Sequence, residues 1–184
     1  TLSTGETVLS FDGSDDYVRG NISESLIPHL SSWTSIMWIK SNNTSFVGFV
    51  TTCVCGGCTD ASRIGYGICG YNNYIVHAGG GCDINLVSTS CFYYNLGEDH
   101  NWIQIAGVIN RASRQNILYV NGVQVMSKPL GTFGDIGTNP SNSWYIGGGC
   151  GYHNGLIDDV RIYNRALSAE EIQALYSSSA ERYR

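Results

Sequence analysis

The segment Gly155-Leu-Ile-Asp-Asp-Val-Arg-Ile-Tyr-Asn-Arg-Ala-Leu-Ser-Ala-Glu-Glu-Ile-Gln-Ala-Leu-Tyr176 constrains the fold more than any other part of this chain. It reads as a β-strand that runs directly into a short capped helix. Strict alternation puts Leu156, Asp158, Val160 and Ile162 on one face of the strand and Ile157, Asp159, Arg161 and Tyr163 on the other. Ser168 stands three residues before Glu171, the spacing of a capping box, and Leu167 and Ile172 are placed to form a hydrophobic staple across it. Ile172, Leu175 and Tyr176 follow at helical spacing, so one side of the helix packs down.

Strand and turn patterns fill the rest. Expected strands are Val8 to Phe11, Ser35 to Lys40, Phe46 to Cys53, Arg63 to Ile68, Tyr74 to Ala78, Ile103 to Ile109, Ile117 to Val120, Val123 to Met126, Trp144 to Ile146 and Leu156 to Tyr163. Clusters of Gly, Asn, Ser and Asp separate them. Asn121-Gly122 suits a type I′ hairpin turn, which would set Val120 opposite Val123 and Leu118 opposite Val125. Trp33, Trp38 and Trp102 sit inside apolar strand patterns and read as core. No repeat, linker or low-complexity stretch divides the chain, so residues 1–184 read as one domain.

The C-terminal strand and capped helix closely resemble the closing signature of laminin-G-like jelly-roll domains of the concanavalin A-like lectin/glucanase superfamily. Leu9-Ser-Phe-Asp-Gly-Ser-Asp-Asp-Tyr-Val18 is similar to the family's opening strand and turn, and Trp33-Thr-Ser-Ile-Met-Trp-Ile39 to a core strand. Trp102-Ile-Gln-Ile-Ala-Gly-Val108 and Leu118-Tyr-Val-Asn-Gly-Val123 stand where the family has a central strand and hairpin. The likeness spans about residues 5–177 and departs from the pattern at Val50 to Cys91, which is richer in cysteine and glycine. It implies an all-β, two-sheet antiparallel jelly-roll sandwich with one short C-terminal helix. In many relatives an acidic residue on the last strand and another in the first strand-turn help hold a structural calcium. By position these are Asp158 and Asp12, with Asp15, Asp16 or Asp159 as helpers. The alternative for Asp158 is to cap backbone N–H groups or to pair with an arginine such as Arg161 or Arg165.

Only 14% of residues are charged and the net charge is −5, which leaves no basic footprint for nucleic acid. No apolar run approaches the roughly 18 residues that a membrane helix needs. The chain opens on polar residues without a targeting segment, as expected of a mature or excised ectodomain of an exported protein. Seven cysteines, Cys53, Cys55, Cys58, Cys69, Cys82, Cys91 and Cys150, point to an oxidising compartment with up to three disulfides. Cys53, Cys55, Cys58 and Cys69 could instead supply four thiolates to zinc, although only one Cys-x2-Cys pair is present.

Catalysis finds no constellation. The paired carboxylates of a glycosidase strand are absent, and no histidine stands at a recognisable spacing from a serine or cysteine nucleophile. Aromatic residues in or beside Gly- and Asn-rich loops suggest binding instead, because aromatic faces complement the C–H faces of pyranose rings. The expected rim is Tyr71, Asn72, Asn73, Tyr74, His77, Tyr152, His153 and Asn154. The leading expectation is a non-catalytic module for carbohydrate recognition or adhesion on an exported microbial protein, with a glycan or a cell-surface protein as partner. A structural display domain of a surface filament, such as a pilin-like head without a sugar ligand, is the second expectation. A polysaccharide-active hydrolase or lyase is the third.

Overall fold

The computed structural model describes residues 2, 5–21, 31–42, 47–51, 66–71, 74–79, 91–95, 101–130, 143–149 and 151–184. Within 66–79 and 91–93 the description is of backbone alone, apart from the side chain of Ile68. The strands among these residues are β1 (Leu9–Asp12), β2 (Val18–Asn21), β3 (Trp33–Ser41), β4 (Val47–Thr51), β5 (Tyr66–Tyr71), β6 (Tyr74–Gly79), β7 (Cys91–Asn95), β8 (Ile103–Asn110), β9 (Gln115–Val120), β10 (Val123–Pro129), β11 (Ser143–Ile146) and β12 (Asn154–Tyr163). One helix, α1 (Ala169–Ser179), and a 3-10 turn, Ala180–Tyr183, close the chain. The strands form two antiparallel sheets, ordered β1-β12-β3-β8-β9-β10 and β2-β11-β4-β5-β6-β7. They are called here the back sheet and the front sheet. This is the two-sheet jelly roll that the sequence implies, with β2 and β7 added to the strands expected.

Alternation along β3 explains why the back sheet is covered on both faces. Trp33, Met37 and Ile39 turn inward and join Phe11, Phe49, Ile68, Ile105, Leu118, Trp144 and Ile157 in the core between the sheets. Each such side chain contributes about 1.5–3 kcal/mol by leaving water. Ile36 and Trp38 turn the other way, toward the C-terminal segment. Ile36 packs with Leu167 and Ile172. Trp38 packs with Leu2 and Tyr183. Trp38 is therefore buried as expected, but in an outer layer rather than between the sheets. Trp102 is only partly buried and lies against that same layer.

Helix α1 starts as its sequence dictates. Ser168 Oγ accepts the Glu171 N–H, the Glu171 carboxylate accepts the Ser168 N–H, and Leu167 and Ile172 meet in one cluster as the staple requires. Arg165 grips the Glu171 carboxylate through two hydrogen bonds of 2.9 and 2.7 Å.

Two strands depart from strict alternation. In β12, Asp158 pairs with Trp38 but Arg161 pairs with Ile36, so one extra residue is inserted between them. Asp159 carries it, with φ of 48°. The bulge switches the strand's phase. Ile157 points inward ahead of it and Val160 and Ile162 pack against the same core beyond it, which corrects the two-face assignment of the sequence pattern. In β10 a bulge between Gln124 and Met126 places Met126, not Val125, opposite Leu118. The Asn121-Gly122 turn itself is type I′-like, with φ of 50° and 76°, and Val120 faces Val123 as expected.

Candidate functional site

Strand register gathers the loops with the expected rim residues at one end of the sandwich. Tyr71 pairs with Tyr74 across a two-residue hairpin, and next to it Gly70 pairs with Val47 at the start of β4. The Gly48 N–H donates to the Gly151 carbonyl, so the segment leading to Tyr152 runs beside that end of β4. Asn154 pairs with Asp12, and its carbonyl accepts the Asn42 N–H.

The individual residues fare differently. Tyr152 is 42% exposed and Asn154 is exposed, as a rim requires. Tyr71, Tyr74 and His77 are located by backbone alone, and Asn72 and Asn73 lie outside the described residues. His77 pairs with Ile68 in mid-strand, about 10 Å along β6 from the hairpin tip, so it is not a tip residue. Of the disulfide candidates, Cys69 and Cys91 are placed by backbone in β5 and β7. Cys53, Cys55, Cys58, Cys82 and Cys150 lie outside the described residues.

His153 is not on the rim. It is fully buried, with its ring 5.9 Å from Phe11 of β1 and 5.1 Å from Phe49 of β4, and its backbone N–H donates to the Gly147 carbonyl. It wedges between the two sheets beneath the site. Burial drives its imidazole down to about 4, against a backbone hydrogen bond with Leu156 that works the other way. Gly147 makes room for the wedge, because it adopts a φ of 74° and any Cβ there would run into the Phe11 ring.

Asp12 and Asp158 are not brought together. Asp12 pairs with Asn154, and Asp158 lies four residues further along β12, about 13 Å away. Asp158 Oδ2 accepts the Tyr183 hydroxyl at 2.7 Å and lies 3.5 Å from Arg182. The expected arginine partners are engaged elsewhere, Arg161 with Asp159 at 2.8 Å and Arg165 with Glu171 at 2.7 Å. Burial and the adjoining Asp158 carboxylate push the Tyr183 phenol up, so it stays a donor across the useful pH range. Among the described residues no three His, Cys, Asp or Glu side chains cluster to hold a metal.

The structure adds three residues to this end. Trp144 belongs to the core between the sheets, so Tyr145, next along β11, points to the outer face of the front sheet. Its register partner Arg19 shares that face. The Arg19 guanidinium sits 5.7 Å from the centre of the Tyr145 ring, and its Nε donates to Ser143 Oγ at 3.1 Å. Tyr17 also packs against Tyr145, ring centres 5.9 Å apart, and is 51% exposed. A Cβ on Gly148 would lie 2.7 Å from the Tyr17 Cβ, which ties this aromatic platform to the segment leading to Tyr152. The signal for it was present as Tyr17 and Arg19 two residues apart and Tyr145 alternating with two core residues. It went unread because β2, Val-Arg-Gly-Asn, has no apolar alternation.

Beyond geometry, the sequence matches the family model described as concanavalin A-like lectin/glucanases superfamily over residues 12–173. The chain belongs to that superfamily. No curated protein sequence matches it. Among solved structures, this concanavalin A-like domain resembles the botulinum neurotoxin serotype D binding domain, with 16% identity and a TM-score of 0.68 over 95% of this chain and 45% of that one. The chain thus spans under half the length of the neurotoxin domain. It also resembles the CBM40 module of a Ruminococcus gnavus IT-sialidase, solved with α2,3-sialyllactose. There the identity is 14% and the TM-score 0.64, over 92% of this chain and 95% of that one. A structure of botulinum neurotoxin type C, whose cell entry depends on interaction with two ganglioside molecules, matches with 14% identity and a TM-score of 0.65 over 91% and 42% of the two chains. At these identities the likeness shows the fold.

Proposed function

We propose that this domain is a non-catalytic glycan-binding module of an exported protein, and that its site is the end carrying Tyr17, Tyr145, Tyr152 and Asn154. The observation that carries the reading is Tyr17. A half-exposed tyrosine ring, propped on Tyr145 and bordered by hydrogen-bonding side chains, is a surface on which the C–H face of a sugar ring can stack. Asn154 and the acidic turn after β1 supply groups for hydroxyls. The neighbouring structures support the reading by analogy, since one was solved with sialyllactose and another comes from a toxin that engages gangliosides.

A glycan array on the purified domain tests this. Binding to a defined sugar class, weakened at least about tenfold by Tyr17→Ala with an unchanged melting curve, is the expected result. A folded domain that binds nothing on a broad array would overturn the glycan reading. A parallel panel of polysaccharides should give no reducing-sugar release; turnover lost with an acidic substitution would show an enzyme instead.

A further inference from the structure

We infer that the site selects anionic glycans, with Arg19 holding a carboxylate or sulfate ester while the sugar ring lies on Tyr17. The inference rests on the glycan-binding reading above and narrows its ligand class.

Arg19 is exposed on β2, at the edge of the front sheet, yet it is not a freely waving side chain. Its Nε is fixed by Ser143 Oγ, and its guanidinium is held near the Tyr145 ring. That arrangement fixes the plane of the guanidinium and engages one edge, leaving terminal N–H donors for a planar or tetrahedral anion. None of the ion pairs among the described residues includes Arg19, whereas Arg161, Arg165, Arg182 and Arg184 each have a carboxylate partner.

Two of the acidic groups in the turn before Tyr17 are turned to that turn's own backbone. Asp12 Oδ1 accepts the Ser14 N–H at 2.8 Å, and Asp16 Oδ2 accepts the Asp12 N–H at 3.2 Å. Arg19 is a positioned cation beside an exposed ring, with Asp12, Asp15 and Asp16 in the turn that precedes it, on a chain of net charge −5. A neutral sugar gains nothing from the Arg19 charge; an anionic one adds charge-assisted hydrogen bonds to it. Carboxylate and sulfate share this chemistry.

The test titrates the isotopically labelled domain with methyl glucuronide, methyl glucoside 6-sulfate, methyl glucoside and sodium sulfate, reading the Arg19 Nε–H resonance and the Tyr17 ring by NMR. Expected are saturable shifts at both residues with the glucuronide, the sulfated sugar or both, at least about tenfold weaker binding of the neutral glucoside, and weak binding of sulfate ion alone. The two anionic sugars tell carboxylate from sulfate ester. Arg19→Gln should erase the preference for charge, and Arg19→Lys should restore part of it.

A glucoside that binds as well as the charged sugars, or a preference that survives Arg19→Gln, would overturn the inference while leaving the glycan-binding reading intact. Shifts with sulfate ion equal to those with the sulfated sugar would mean an adventitious ion only. No shift with any probe overturns the inference by itself; the glycan reading falls only if the array is blank as well.

Discussion

At the scale of single residues, burial outweighs solvation most clearly at His153. The ring fills the gap between Phe11 and Phe49, and a proton there would have to be carried without water around it. Its folded value of about 4 lies below the ordinary 6.5, so the unfolded chain binds the proton first as pH falls. The His153 contribution is complete above about pH 6.5 and is lost progressively as pH drops toward 4. The total is about 3 kcal/mol. Urea melts of the protein and of His153→Gln across that window should show a steeper fall for the parent; parallel pH profiles would refute the assignment. Tyr152, one residue away, points to solvent. Sequence could not tell the two apart. Both lie in a Gly- and Asn-rich stretch, and what separates them is the pairing of that stretch with β4, a contact roughly a hundred residues distant in sequence.

At the scale of elements, α1 was legible and β12 only partly so. A capping box is local, so Ser168 and Glu171 announce it without knowledge of the rest of the chain. Ser168→Ala should lower stability by about 1 kcal/mol, seen in thermal melts and as faster hydrogen exchange in the first turn of α1. Arg165, followed by the Ser168 backbone hydrogen bond, holds the Glu171 carboxyl down at about 2. This stabilisation is present above the usual carboxyl value and fades as pH falls toward 2. The bulge in β12 has no such local mark, because inserting a residue changes only the register against β3. Asp159 is the residue that absorbs it, in a backbone region L-residues enter at a cost of about 1–2 kcal/mol. Both Asp159→Ala and Asp159→Gly lose the Arg161 pair, so the glycine variant should be the more stable by about 1 kcal/mol in equilibrium melts. Equal stabilities would show that the positive φ is not retained in solution. Tyr17 and Arg19 are illegible in the sequence for a related reason: a four-residue edge strand containing Gly and Asn carries too little pattern to be read, and only pairing with β11 reveals its face.

At the scale of the whole molecule, the structure is three layers deep, with the front sheet, the back sheet and the C-terminal segment in succession. The family signature at Gly155–Tyr176 made the sandwich readable. The third layer was less so, since reading Trp38 as core does not say which layer it fills. Trp38 stacks on Tyr183 with ring centres 4.1 Å apart and donates from Nε1 to Ser179 Oγ at 3.1 Å. Leu2 packs in the same cluster, and Arg182 pairs with Glu6 at 2.7 Å. A circular permutant joined from Arg184 to Thr1 by a short Gly/Ser linker and opened between Ala112 and Ser113, in the exposed turn after β8, should fold cooperatively and keep its ligand profile. A non-cooperative melt would count against this closeness of the ends.

The shared packing of Leu2 and Tyr183 in one cluster also bears on how such a domain can be carried. A longer polypeptide would arrive and depart at a single spot behind the back sheet, whereas Tyr17 and Arg19 look outward from the opposite side. The domain can therefore be spliced into a surface turn of a host as readily as added to its end. In either mounting the attachment leaves the tyrosine face unshaded, and several copies in series could present it together.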